Sequence, residues 1–148
     1  MVIGIRWTLQ QIDLVTRLRE AYPKDFSPNV NGSTALAAFK KGQIISPIAV
    51  EGLHQIGNSV ANLRRYYDLG ARYTTLTHNC HNIFADAALE ESPAQKAKPL
   101  WGGLSPLGRR LVKEMNRMGM IVDLAHVRYV PYAACDPVGR KILRLKGS

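Results

Sequence analysis

Apolar residues recur at helical spacing at Ile12, Val15, Leu18 and Tyr22, so the chain opens on a predicted helix that runs up to Pro23. A turn-rich stretch, Lys24 to Gly32, separates it from a short second helix, for which Ser33 is the expected N-cap and Leu36 and Phe39 the apolar face. Lys40, Lys41 and Gly42 end that helix with cations in the last turn and a glycine beyond it. The period then changes. Ile44 to Val50 is short and almost continuously apolar, the pattern of a parallel strand covered on both faces, with Pro47 the discordant residue. Ile56, Val60, Leu63 and Tyr67 restore a helical stripe that stops at Leu69-Gly70. Tyr73 to Thr77, β-branched and aromatic, predicts a second strand. The polar connection Asn79 to Gly103 is long enough to be functional or mobile. Ser105-Pro106 then caps a helix with Leu107, Leu111, Met115 and Met118 on its apolar side, Gly119 closes it, and Met120 to Ala125 reads as a third buried strand. Strands alternating with helices in this order call for crossover connections and a parallel sheet, an α/β fold.

Composition adds exclusions. The chain has 148 residues, of which 46% are hydrophobic and 21% charged, the profile of one globular domain. No apolar run approaches the roughly 18 residues of a membrane-spanning helix. The first residues lack the basic, apolar, small-residue order of a secretory signal. Neither a span nor an export signal is therefore expected in this stretch, and it assigns no location. Twenty Lys and Arg against 11 Asp and Glu give a net charge of +9. The cations fall in scattered pairs (Lys40-Lys41, Arg64-Arg65, Arg109-Arg110) and in the last residues, without interleaved aromatics, which favours solvated helix faces over a polyanion site and makes nucleic acid an unexpected partner. Cys80 and Cys135 have neither disulfide-framework nor zinc-knuckle spacing.

The chemistry is concentrated at three places: Glu51 directly follows the first predicted strand, His78 the second and His126 the third. In a βα barrel the C-terminal strand ends converge on one face, where catalytic groups are mounted on different strands. Adjacent strands lie about 4.8 Å apart, so the three side chains can meet on one or two metal ions, for which a carboxylate and imidazoles are suitable ligands. A single histidine after a strand is more often a hydrogen-bonded structural residue; it is the shared placement that points to a metal or acid/base site. His54 and His81 either support these groups from behind or serve local capping and packing. Asp123 either orients a neighbour or satisfies buried backbone donors.

Four ordered segments carry a resemblance: Val50-Glu51-Gly52-Leu53-His54-Gln55, Gly70 to Asn79, Gly103-Leu104-Ser105-Pro106-Leu107-Gly108 and Asp123-Leu124-Ala125-His126-Val127. Together with the Gly108 to Asn116 helix they resemble consecutive motifs of the renal, or membrane, dipeptidase family in its fungal form. The resemblance implies a zinc-dependent hydrolase on a TIM-type (β/α) barrel that cleaves dipeptides at a two-zinc site. On that likeness Glu51 corresponds to the carboxylate bridging the zincs, His126 to a ligand of one zinc, and His78 to the histidine that contacts substrate and stabilises the tetrahedral intermediate. The sequence also departs from the family. No His-x-Asp motif precedes Glu51, no histidine follows His126, and the family's substrate-binding arginine and catalytic aspartate have no counterparts. Residues 1–127 are therefore expected to form part of a barrel, with about three parallel strands, and 128–148 a basic, divergent, disordered tail. A barrel takes about 200 residues or more, so the chain reads as a fragment. Short of the three protein ligands that a catalytic zinc keeps, it is not expected to turn over substrate alone. The alternative is a non-catalytic half-barrel that binds a relative, a second copy or a polyanion, with a partner covering its sheet edges.

Overall fold

The computed structural model of the chain describes residues 2–28, 31–88 and 98–128. Helix α1 (Val2–Ala21) and helix α2 (Gly32–Lys40) precede strand β1 (Ile48–Glu51). A 3-10 turn (Leu53–Ile56) and helix α3 (Val60–Asp68) lead to strand β2 (Ala71–Thr75), and helix α4 (Pro106–Met118) leads to strand β3 (Ile121–Asp123). The strands form one parallel sheet in the order β1-β2-β3, the α/β arrangement that the alternating sequence pattern calls for.

Register decides which residues face the helices. Val50, Thr74 and Val122 lie side by side, and one residue further along so do Glu51, Thr75 and Asp123. The pairing of β1 with β2 slips between Ile48 and Ala49, a local irregularity after which the two strands run in step. Side chains alternate along a strand, so Ile48, Val50 and Val122 join Leu63, Tyr66, Leu111, Val112 and Met115 in the hydrophobic core. The opposite face of the sheet is open, with Ala49 and Ile121 exposed. Between that face and α1 lies a trough of about 580 Å³, bordered by Ile12, Val15, Ala49, Glu51 and Tyr73.

The structure corrects several expected details. The first strand is covered on one face only, and it begins at Ile48 because Pro47 has no N–H for the ladder. Ile44 instead makes an isolated parallel bridge with Phe26. The stripe Ile56 to Tyr67 is two elements, divided where Gly57 and Asn58 adopt left-handed backbone angles (φ 60° and 62°). Asn31 caps α2 in place of Ser33: its side-chain oxygen accepts the N–H groups of Ser33 and Thr34, while the Thr34 hydroxyl accepts the N–H of Asn31. α2 turns Ala38 inward and leaves Leu36 and Phe39 exposed. Among the described side chains of α1 the buried positions are Thr8, Ile12 and Arg19, while Leu18, and Tyr22 just beyond the helix, are exposed. β2 begins and ends two residues before the predicted run, so that His78 lies three residues beyond its end, and β3 is shorter than its predicted run at both ends. The expected divergent tail lies outside the described residues except for Arg128, whose N–H donates to the Asp86 carbonyl.

The start of α4 follows the expectation. The Ser105 hydroxyl accepts the Gly108 N–H (2.9 Å) and donates to the Ile83 carbonyl (2.6 Å), Pro106 opens the helix, and Gly119 ends it at φ 79°. Because Ser105 is buried, Ser105→Ala leaves two groups without a partner and is expected to cost about 1–2 kcal/mol in urea unfolding. A loss below about 0.3 kcal/mol would contradict this role of the cap. The buried stripe of α4 runs through Gly108, Leu111, Val112 and Met115, while Leu107 is exposed.

Candidate metal centre

Glu51 is the last residue of β1, and its carbonyl accepts a hydrogen bond from the Gln55 side-chain amide (2.8 Å). Gln55 is held in turn from α1: the Thr8 hydroxyl shares its proton between the Gly4 carbonyl (2.8 Å) and Gln55 Oε1 (2.6 Å). Gly52 follows at φ 101°, a conformation that glycine adopts freely. A side chain there would collide with the His54 ring at 2.6 Å and meet His78 Cβ at 3.1 Å. Glycine thus lets two imidazoles close over the strand end.

The three expected site residues come together. Glu51 Oε1 lies 3.5 Å from His78 Nε2 and 3.6 Å from His126 Nε2. The His78 and His126 rings meet edge to face, with centroids 4.8 Å apart and planes at 87°. One donor atom from each of the three residues lies within 4.8 Å of the others. Ligands held about 2.0–2.2 Å from a tetrahedral zinc are about 3.4 Å from one another, so carboxylate and imidazole sit at distances that a single ion spans. Side-chain exposures of 59% for Glu51, 30% for His78 and 45% for His126 leave the donors open to solvent and substrate. The donor set, oxygen with nitrogen and no thiolate, fits zinc or a similar divalent ion.

His126 is reached by an uncommon backbone turn. Its φ of 61° is left-handed, which costs an L-residue about 1–2 kcal/mol and persists only where surrounding bonds impose it. Those bonds are present. The His126 carbonyl accepts the Thr77 hydroxyl (2.7 Å) and the Ala88 N–H (2.8 Å). On the other side of the turn, Asp123 accepts the Thr75 hydroxyl (3.0 Å) and the Ala125 N–H (2.9 Å). Asp123 therefore caps the turn and borders the trough.

The two flanking histidines divide. His54 lies over Gly52 beside His78; burial, and then the proximity of His78, lower its pKa. His81 has a local structural contact: its Nδ1 accepts the Ala87 N–H (3.0 Å), and it lies 3.6 Å from the carboxylate of Asp86. Asp86 is fully buried and accepts the N–H groups of Leu100 (2.9 Å), Trp101 (2.9 Å) and Gly103 (3.1 Å), pinning the far end of the long connection beneath the site. Thr77, Gln55 and Asp86 are supports that the sequence pattern did not single out. A hydroxyl directly before a site histidine was the available signal for Thr77. Cys80 is exposed and free, and among the described residues no helix is long and apolar enough to cross a membrane.

Comparison with known proteins gives the same direction. The sequence matches the family described as Membrane dipeptidase (Peptidase family M19) over residues 3–129. It is 51% identical over 123 residues to an uncharacterized dipeptidase of Schizosaccharomyces pombe, covering 83% of this chain and 29% of that protein. It is 47% identical over 138 residues to the dipeptidase aclJ of Aspergillus oryzae, covering 92% of this chain and 31% of that one. The chain thus spans about three-tenths of the length of these relatives. Its fold superposes on the crystal structure of dipeptidase AC, a metallopeptidase of family M19, with a TM-score of 0.63 at 23% identity, over 80% of this chain and 34% of that one. The three-stranded sheet is accordingly part of a TIM-type barrel. The chain belongs to the membrane dipeptidase family, peptidase family M19.

Proposed function

We propose that the chain carries part of the active site of a zinc metallodipeptidase, with Glu51 and His126 as metal ligands and His78 as the group that meets the substrate. The observation that supports this most is the convergence of three donors, each at or just beyond the C-terminal end of one of three adjacent strands, within 4.8 Å. Membership of a dipeptidase family supplies the reaction class, hydrolysis of a dipeptide. When bound, zinc would lower the pKa of a water toward about 7 and polarise the scissile carbonyl. The chain's own residues do the rest. Glu51 presents two carboxylate oxygens, enough to reach two ions. His126 is locked by its carbonyl contacts. His78, edge-on to His126, directs Nε2 into the same space, where an N–H stabilises the developing oxyanion.

A second reading is favoured by the nearly equal separations of 3.5 and 3.6 Å: His78 is the third ligand of one ion. Zinc titration of the 148-residue chain by calorimetry distinguishes the two. Loss of a ligand exceeds the 10–100-fold cost of losing its supporting partner, so Glu51→Gln is expected to weaken zinc binding by at least about 100-fold. His78→Ala is expected to leave affinity within about 3-fold if His78 serves the substrate, and to match Glu51→Gln if it is a ligand. Zinc binding unaffected by Glu51→Gln would overturn both readings.

A further inference from the structure

His126 reaches the metal centre through a left-handed backbone turn that Asp123 caps locally, while the His126 carbonyl is held from far along the chain. Its carbonyl accepts two hydrogen bonds, from the Ala88 N–H and from the hydroxyl of Thr77. The Ala88 bond continues a short antiparallel bridge between Ala87 and Val127. Thr77 differs in kind: it lies two residues beyond the end of β2, next to His78, and is fully buried. One residue is thus bonded covalently to His78 and through its side chain to the backbone of His126. The two imidazoles, 49 or fewer positions from that clasp in sequence, meet at 4.8 Å.

We propose that Thr77 is a positioning residue of the metal centre: its hydroxyl, acting through the His126 carbonyl, sets where the His126 imidazole stands relative to His78 and Glu51. This rests on the metallodipeptidase reading above for its purpose, though not for its geometry. Only the hydroxyl makes the bond; the methyl packs. Valine keeps the shape of threonine without the donor, and serine keeps the donor without the methyl. A purely structural Thr77 would show its effect in stability alone. A positioning Thr77 shows it in the relation of two rings and in metal affinity.

The test compares the wild-type chain with Thr77→Val and Thr77→Ser by two readouts. The first is the nuclear Overhauser contact between the His78 and His126 rings in metal-free protein. It is expected in the wild type and in Thr77→Ser, and lost in Thr77→Val. The second is zinc affinity by calorimetry, expected to fall about 10-fold in Thr77→Val and to return to within about 2-fold of wild type in Thr77→Ser. Thr77→Val with the ring contact and wild-type affinity would overturn the proposal. So would Thr77→Ser behaving like Thr77→Val, because the methyl would then be the active part. If Thr77→Val does not fold, Thr77→Ala takes its place: loss of the ring contact there, with the contact kept in Thr77→Ser, upholds the role of the hydroxyl, and a contact retained in Thr77→Ala overturns it. If zinc binding proves insensitive to Glu51→Gln, the metallodipeptidase reading fails, and the ring contact in metal-free protein still decides the role of Thr77.

Discussion

Replacing Asp86 with alanine is expected to lower the unfolding free energy by about 3–5 kcal/mol, the range for removing one partner of a buried, charge-assisted cluster. The substitution strands the N–H groups of Leu100, Trp101 and Gly103 around a cavity and removes the anion next to His81. Domains of this size have about 5–15 kcal/mol in all, so the loss is a large fraction of the total. The same carboxylate makes stability depend on pH. Burial alone would raise its pKa; the three N–H groups and His81 outweigh burial and hold it below the ordinary carboxylate value. A group whose folded pKa is depressed contributes fully above its unfolded value, near 3.9, and loses that contribution as pH falls through the folded one. Urea unfolding of wild type and Asp86→Ala at pH 7 and pH 3 checks both points. The gap between them is expected to be wide at pH 7 and to narrow at pH 3. A gap below about 0.5 kcal/mol at pH 7 would refute the assignment.

Gly108→Ala is the second large effect, and its sign is unusual. Inside a helix this change ordinarily stabilises by about 1 kcal/mol. Here the added Cβ would lie 2.0 Å from the Phe84 carbonyl oxygen and 2.9 Å from its carbon, and that oxygen already accepts the Ser105 N–H. Backbone, not a flexible side-chain tip, must give way. The expected cost is about 3 kcal/mol or more, seen as a melting temperature lower by roughly 10 °C. A variant that melts at or above the wild-type temperature would show that α4 can slide away from the loop without loss.

What was legible in the sequence was what local chemistry determines. Ser105-Pro106 and Gly119 bound α4 because a cap needs only its own few residues, and Glu51, His78 and His126 were found because each follows a short apolar run. The long-range supports were not legible. Nothing in the spacing of Ile56, Val60 and Leu63 announces the break at Gly57-Asn58, since the apolar period passes straight through it. Asp86 lies in the long connection between β2 and α4, where an acidic residue reads as solvated, and its partners are 14 to 17 residues away. Thr77 acts on a carbonyl 49 positions distant. The exposed Leu18, Leu36 and Phe39 were misassigned for a related reason: helical period identifies a face, and the tertiary packing chooses which face is covered.

The slip in pairing between Ile48 and Ala49 has a genetic consequence. Beyond it, Val50 faces the helices and Glu51 faces away, so adding or deleting one residue just ahead of them would exchange the two environments. The carboxylate would enter a core occupied by Leu63 and Tyr66, and an apolar side chain would stand opposite the imidazoles. A two-residue change would restore the facing and move the carboxylate by about 6.6 Å along the strand, out of reach of both. Short insertions and deletions in β1 should therefore be absent from working relatives, while the turn at Gly57–Ser59, which bears none of the donors, is free to change length.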